Sequence, residues 1–65
     1  MKNKTVFIKA SSIRKDDVLT NGFIASEDAR PIEAGKVLLT GTSDNIRGLQ
    51  HRRVNATTVV EKVVF

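Results

Sequence analysis

The residue best suited to acid–base chemistry in this sequence is its single histidine, His51. Histidine titrates near neutral pH and often serves as a general base, but catalysis also needs a nucleophile or a metal and groups that orient the base. His51 lies in a basic run with Arg52 and Arg53, and neighbouring cations favour the neutral imidazole. A basic surface strand explains this run without any catalytic role, and no supporting motif is present. We therefore expect no catalytic residue and no enzymatic activity.

Two pairs of adjacent carboxylates, Asp16-Asp17 and Glu27-Asp28, are the other groups that could act together. Paired carboxylates bind divalent cations or act as acid and base in hydrolysis. Adjacent residues of a strand point to opposite faces, so neither pair presents both carboxylates to one ligand. The chain has no cysteine, which excludes a disulfide and a Cys/His zinc site. We expect neither a metal nor any other cofactor.

Positive charge is the most evident chemical feature of the chain, which has a net charge of +4. Residues 1–15 carry five cations and no acid, residues 16–33 are acidic overall, and residues 34–65 are again basic. Folding that gathers the two basic segments on one face would create a surface for the phosphate backbone of nucleic acid. The alternative is that these charges only keep the protein soluble. The residues expected to contact nucleic acid are Lys9, Arg14, Lys15, Arg47, His51, Arg52 and Arg53.

The length of 65 residues defines one small domain, 1–65, because domains usually contain about 100–150 residues. A domain this small has a small core and gains from association with a copy of itself or with a partner. No apolar run approaches the roughly 20 residues of a membrane-spanning helix, and the basic start lacks the long apolar stretch of a signal peptide. We expect a cytoplasmic protein with no membrane contact and no small-molecule substrate.

Short apolar runs rich in β-branched residues, separated by turn residues, predict strands. Asn21-Gly22 predicts a hairpin over Val18–Ala25 with a two-residue type I′ turn. Val37–Thr40 is apolar on both faces and is predicted to be the most buried, central strand. The other predicted strands are Thr5–Ala10, a short edge element at Pro31-Ile32, Gly48–Val54 and Thr57–Phe65.

Two segments are less regular. The polar segment 11–16 predicts one helical turn with a serine cap, and its single apolar residue, Ile13, is expected in the core. The last segment, Thr57–Phe65, has valines at helical spacing, but its β-branched residues disfavour a helix, so we predict a strand. Lys62 within this strand is then expected at a rim or a bulge.

The order of these elements predicts an all-β fold, namely a small, curved, five- to six-stranded antiparallel barrel with one short helical turn near residues 11–16. The segment Ala10–Leu19, in which a helical turn leads into a strand through an acidic residue, resembles the first part of many SH3-like barrels. An OB-like barrel is the alternative. The resemblance implies a fold and no particular family, so no functional residue follows from it.

Two functions of different classes fit this fold. The first is nucleic-acid binding led by the phosphate backbone, because the chain has three Phe and no Tyr or Trp on which bases could stack. The second is a protein-interaction module, an adaptor, inhibitor or homo-oligomer subunit, whose exposed strand edge pairs with a partner. The terminal strand supplies that edge unless it closes the core. The residues expected at such an interface are Val59, Val63 and Phe65.

Overall fold

The structure is a computed structural model that describes residues 4–44 and 46–64. These residues form seven strands in one antiparallel sheet, a 3₁₀ turn at Ala10–Ser12 and no α-helix. The strands are β1 (Lys4–Lys9), β2 (Val18–Leu19), β3 (Ile24–Ala25), β4 (Arg30–Glu33), β5 (Lys36–Ser43), β6 (Ile46–Asn55) and β7 (Val59–Val64). The all-β class predicted from the sequence is confirmed.

Strand β5 organises the sheet because it pairs with three other strands. The sheet runs in the order β1-β7-β2-β3-β5, and β6 pairs with the second edge of β5. Strands β3 and β4 share the first edge, where Ala25 lies opposite Gly41 and Arg30 lies opposite Leu38. The predicted central strand, Val37–Thr40, lies within β5 and is largely buried, so this prediction is confirmed.

The sheet is open, since no ladder joins β1 to β6 in the part of the chain that the structure describes. The antiparallel sheet is as predicted, whereas closure into a barrel is not confirmed. The structure has seven strands instead of five or six, because the short edge element predicted at Pro31-Ile32 is a strand of its own, β4, which pairs with β5.

The predicted hairpin is confirmed by the antiparallel pairing of β2 with β3, but its turn differs from the predicted type. The Leu19 N–H donates to the Phe23 carbonyl, and the Gly22 N–H donates to the Leu19 carbonyl, which closes a three-residue loop. A positive φ of +94° occurs at Gly22 and not at Asn21. This combination is a type I turn followed by a left-handed glycine, because a three-residue loop requires only one left-handed residue.

The predicted helical turn is present as the 3₁₀ turn Ala10–Ser12, slightly earlier than the predicted segment 11–16. The serine cap was wrong, because both serines fall inside the turn and no side chain caps its first residue. Ile13 follows the turn and is almost fully buried, as predicted. The segment therefore fixes one large aliphatic side chain in the core before the chain enters β2.

Within the described residues no α-helix covers the apolar side of the sheet, so its apolar side chains pack against one another. Phe23 is 1% exposed and fills the centre of the core. Gly41 allows this packing, since a Cβ at this position would lie 2.7 Å from the Phe23 ring and 2.1 Å from the Ile24 carbonyl oxygen. The buried core residues are Ala10, Ile13, Leu19, Phe23, Ala25, Val37 and Leu39.

Candidate nucleic-acid interface

Strand β6 carries three adjacent residues expected to contact nucleic acid, and strand alternation divides them between two faces. In the β5–β6 ladder, Arg52 lies opposite Leu39 and Arg53 lies opposite Leu38. Leu39 is buried in the core, so Arg52 points inward, whereas Arg53 and His51 point outward. The three residues therefore do not share one surface.

Arg52 covers the core. Its guanidinium carbon lies 5.0 Å from the centre of the Phe23 ring, and its Nη2 donates a hydrogen bond to Gln50 Oε1 at 3.2 Å. A cation over an aromatic face contributes about 0.5–1 kcal/mol at an exposed site, and the aliphatic part of the side chain shields the ring from water. The structure thus gives Arg52 a packing role against Phe23.

The outward side of β4, β5 and β6 gathers four basic residues. Arg30 lies opposite Leu38 in the β4–β5 ladder, and Leu38 lies opposite Arg53 in the β5–β6 ladder, so the two arginines flank one leucine in a row. Residues two apart in a strand share a face, which places Lys36 and His51 on the same side. We call these residues the cationic face: Arg30, Lys36, His51 and Arg53.

Hydrogen bonds hold two members of the cationic face close to the sheet. Lys36 Nζ donates to Asn55 Oδ1 at 2.9 Å, and His51 Nδ1 lies 3.2 Å from Thr40 Oγ1. Thr40 is only 5% exposed, so its hydroxyl is a fixed partner for the imidazole. Because an ammonium group has three donors, Lys36 can contact Asn55 and an anion at the same time.

Glu33 partly neutralises the cationic face. Its Oε1 accepts a hydrogen bond from Arg53 Nη2 at 2.5 Å, and both side chains are more than half exposed. Exposed ion pairs contribute only about 0–1 kcal/mol, so an incoming anion can replace Glu33 at little cost in free energy. Arg53 therefore remains available for a phosphate.

The Arg14 side chain and the backbone of Lys15 both contact an acidic residue, Asp28. The Lys15 backbone N–H donates to Asp28 Oδ1 at 2.8 Å, and Arg14 Nη1 lies 3.4 Å from Asp28 Oδ2. The hydrogen bond from the Lys15 backbone lowers the pKa of the Asp28 carboxyl. Desolvation opposes this effect, and the charge of Arg14 and its hydrogen bond add smaller contributions to the lowering. These contacts tie the β1–β2 connection to the β3–β4 connection.

Lys9 and Arg47 lie apart from the cationic face. Lys9 ends β1 and lies opposite Val59 of β7. Arg47 lies near the other end of β6, six residues before Arg53, which corresponds to about 20 Å along a strand. Of the residues expected from the sequence, the structure thus brings together His51 and Arg53.

The terminal strand β7 lies inside the sheet. It pairs with β1 along its whole length and with β2 through Lys62 and Val63. Of the two placements considered from the sequence, the strand that closes the core is the one observed. Val63 and Val59 point outward, and Phe65 lies outside the described residues.

The outward positions of β1, β7, β2 and β3 combine apolar residues with Thr5, Lys9 and Glu61. Glu61 lies opposite Phe7, and its carboxylate accepts a hydrogen bond from the Thr5 hydroxyl. Val18 lies opposite both Val63 and Ile24, and Phe7 and Val59 point to the same side by the two-residue alternation. Phe7 is 72% exposed and Val59 is 62% exposed. We call these residues the apolar face: Phe7, Val18, Ile24, Val59 and Val63.

Two members of the cationic face, Arg30 and Lys36, are missing from the set expected from the sequence. Arg30 lies in the acidic segment 16–33, and its place near Arg53 depends on the pairing of β4, β5 and β6, which a single sequence does not show. The outward position of Lys36 could have been predicted from the sequence. Once Val37 is placed in the core, alternation puts Lys36 on the outward side.

Within residues 4–44 and 46–64, no group of His, Cys, Asp or Glu side chains is arranged to hold a metal ion, and no helix is long and apolar enough to cross a membrane. No protein-family model matches the chain, and no curated protein or solved structure is significantly similar to it.

Proposed function

We propose that this protein binds nucleic acid through its cationic face, with phosphate groups as the main contacts. The supporting observation is the row formed by Arg30, Leu38 and Arg53, flanked by Lys36 and His51, on the outward side of three neighbouring strands. The net charge of +4 adds a general attraction for a polyanion. A cytoplasmic location, where nucleic acid is accessible, belongs to this proposal.

The spacing of the two arginines suits contacts with a phosphate backbone. Neighbouring strands lie about 4.8 Å apart, so the backbones of Arg30 and Arg53 are separated by about 10 Å across β5. Each guanidinium can donate two parallel hydrogen bonds to one phosphate, and the side chains are long enough to adjust to the path of the backbone. Two arginines on either side of Leu38 therefore provide two separate phosphate contacts.

The distribution of aromatic side chains favours contacts with phosphates over stacking with bases. Phe7 lies on the apolar face, and Phe23 is buried beneath Arg52. Proteins that bind single strands usually add aromatic platforms on which bases stack, and here the cationic face has only the imidazole of His51. We therefore propose backbone-led binding that depends weakly on sequence and prefers duplexes.

The test is a fluorescence-anisotropy titration against labelled duplex and single-stranded DNA and RNA at several salt concentrations. The three permanent cations of the face predict a slope of log affinity against log salt of about −3 for a duplex and about −2 for a single strand. Arg53→Ala should weaken binding to all sequences alike and make the slope shallower by about 1.

Arg47→Ala is the matched control, because it removes the same charge from β6 outside the cationic face. Its slope should equal that of the unmodified protein. Equal losses in the Arg53→Ala and Arg47→Ala variants would show that net charge, and not this face, carries binding. No saturable binding to any of the four nucleic acids at low salt would overturn the proposal.

A second variant should change affinity in the opposite direction. Glu33→Gln removes the carboxylate that neutralises Arg53 and should tighten binding by about two- to fivefold, the value of one exposed ion pair. Glu27→Gln makes the same change of charge in the loop before β4 and should tighten binding less. If both variants had the same effect, the assignment of Glu33 to the binding surface would be rejected.

A second function, protein–protein interaction, is supported by the exposure of Phe7 and Val59 on the apolar face. The unpaired backbone edge of β1, next to this face, is the place where a partner strand could pair. At the level of fold we also propose a relationship to SH3-like barrels, which the short 3₁₀ turn between β1 and β2 supports and from which the open sheet departs.

A further inference from the structure

Three strands have one unpaired backbone edge within the described residues, namely β1, β4 and β6. Natural sheets protect such edges with charged side chains, proline or bulges, which prevent pairing with another chain. Strand β4 contains Pro31 and a bulge before Glu33, and β6 carries Arg47, Arg52 and Arg53 together with a break in register near Gly48, which has a φ of +80°. Both of these edges are protected.

Strand β1 lacks this protection in its centre. Lys4 and Lys9 occupy its ends, while the four residues between them, Thr5–Ile8, are uncharged. Phe7 is 72% exposed in the middle of this strand. An unprotected edge with an exposed aromatic side chain is typical of a surface that another chain covers.

The hydrogen-bond pattern shows which groups β1 offers at this edge. The Ala10 N–H donates to the Thr58 carbonyl, so this pair is of the hydrogen-bonded type, and in an antiparallel ladder such pairs alternate along the strand. The alternation starts at Ala10 and runs back along β1. The backbone N–H and C=O groups of Thr5, Phe7 and Lys9 therefore point away from β7. The same alternation turns Glu61 of β7 towards β2, and its carbonyl indeed accepts from the Thr20 N–H.

The exposed area of the chain is large enough for an interface with a second copy. The protein exposes 4745 Å², whereas monomeric proteins of its 7.2-kDa mass expose about 4100 Å². Covering the excess of about 600 Å² on each of two copies removes about 1200 Å² from water, which is the lower end of the range for specific interfaces.

We propose that two copies of this chain pair through β1, antiparallel, about a twofold axis at Phe7. This register sets Phe7 opposite Phe7 of the second copy on the outward side and Val6 opposite Ile8 of the second copy on the inward side. Lys9 then lies opposite Thr5 of the second copy, so no two lysines face each other. Cross-strand aromatic and aliphatic pairs of this kind stabilise a sheet by about 0.2–1 kcal/mol each.

Sedimentation velocity over a range of protein concentrations tests the dimer after bound nucleic acid has been removed. The chain has no Tyr or Trp, so interference optics must replace absorbance at 280 nm. We expect a mass that rises from one chain towards two, and Phe7→Lys should keep the far-UV spectrum and remain monomeric. Leu49→Lys, which alters an exposed apolar residue of β6, should still dimerise. A monomer at every concentration would reject the proposal.

Disulfide trapping tests the register independently. Because the chain has no cysteine, Phe7→Cys introduces its only thiol. Directly opposite residues in a hydrogen-bonded antiparallel pair have Cα atoms about 5.5 Å apart, within the range of a disulfide. Under mild oxidation Phe7→Cys should form a covalent dimer much faster than Leu49→Cys. Equal rates for the two variants would reject the β1 register.

Discussion

The outward side of the sheet has two regions of opposite character. On β4, β5 and β6 it is richest in cations, whereas on β1, β7, β2 and β3 it carries Phe7 and aliphatic side chains around the single carboxylate of Glu61, with Lys9 at its end. The inward side is similar in both regions, because the core requires apolar residues from each. The outward side chains are free of that requirement, and their difference is the basis on which we propose two binding surfaces, one for phosphates and one for a second chain.

The largest effect is expected where the two regions join. Gly41 of β5 lies opposite Ala25 of β3, and a methyl group on Gly41 would collide with the Ile24 carbonyl and the Phe23 ring. We expect Gly41→Ala to lower the free energy of unfolding by about 3 kcal/mol or more, a large part of the stability of so small a domain. Urea unfolding followed by far-UV circular dichroism measures this loss.

Gly35→Ala is the control for this substitution. Gly35 has a φ of +74° with no atom within 4 Å of the added methyl group, so only backbone strain is introduced. The expected cost is about 1 kcal/mol. If Gly41→Ala were as stable as Gly35→Ala, the close contact at the junction would not limit packing, and the two regions could unfold separately.

An effect of intermediate size is expected from substitutions of Arg52 and Arg53, which lie on opposite faces of β6. Arg52→Ala uncovers Phe23 and should lower the free energy of unfolding by about 1 kcal/mol, while Arg53→Ala removes an exposed ion pair and should cost less than about 0.5 kcal/mol. Nucleic-acid affinity should respond in the reverse order. Urea unfolding midpoints measure the stability of both variants, and anisotropy titrations measure their nucleic-acid affinity.

If stability falls more in Arg52→Ala and nucleic-acid affinity falls more in Arg53→Ala, the two adjacent arginines have separate roles. If Arg52→Ala weakened nucleic-acid binding as much as Arg53→Ala, the binding surface would have to include the inward side of β6. The comparison between the cationic and apolar regions would then no longer describe the sheet.

The smallest effect is expected at the contact between the two loops. The lowered pKa of Asp28 means that its carboxylate is favoured in the folded state, so its contribution to stability is present above the unfolded pKa, near 3.8, and is lost as the pH falls through the folded value. The Asp28→Asn variant should therefore lose less stability than the unmodified protein as the pH falls from about 5 to about 2. Thermal unfolding across this range measures the difference, and an unchanged pH profile would show that the contact does not stabilise the fold.

Much of the inward side could be predicted from the sequence. The apolar character of Val37–Thr40 and the Asn21-Gly22 signal gave the central strand and the hairpin, because both depend on neighbouring residues. The isolated Ile13 in a polar segment likewise indicated its burial. Local patterns of this kind reflect constraints within a few residues of each other, and a single sequence shows them.

The binding surfaces could not be predicted in the same way. Arg30 and Arg53 lie close because three strands pair in one register, and β1 is an edge because β7 returns to the sheet between β1 and β2. These are contacts between distant parts of the chain. One local signal was available, since alternation alone requires Arg52 and Arg53 to point to opposite sides.

The pairing of β1 with β7 has a consequence for how the chain folds. Lys4 lies opposite Val64, so this ladder joins residues separated by almost the whole chain, whereas β5 and β6 form a local hairpin. Closing so long a loop is slow compared with forming a hairpin. During synthesis β1 leaves the ribosome well before β7, so Thr5–Ile8 are unpaired on both edges until β7 has been made, and in that interval they are exposed to misfolding and to chaperones.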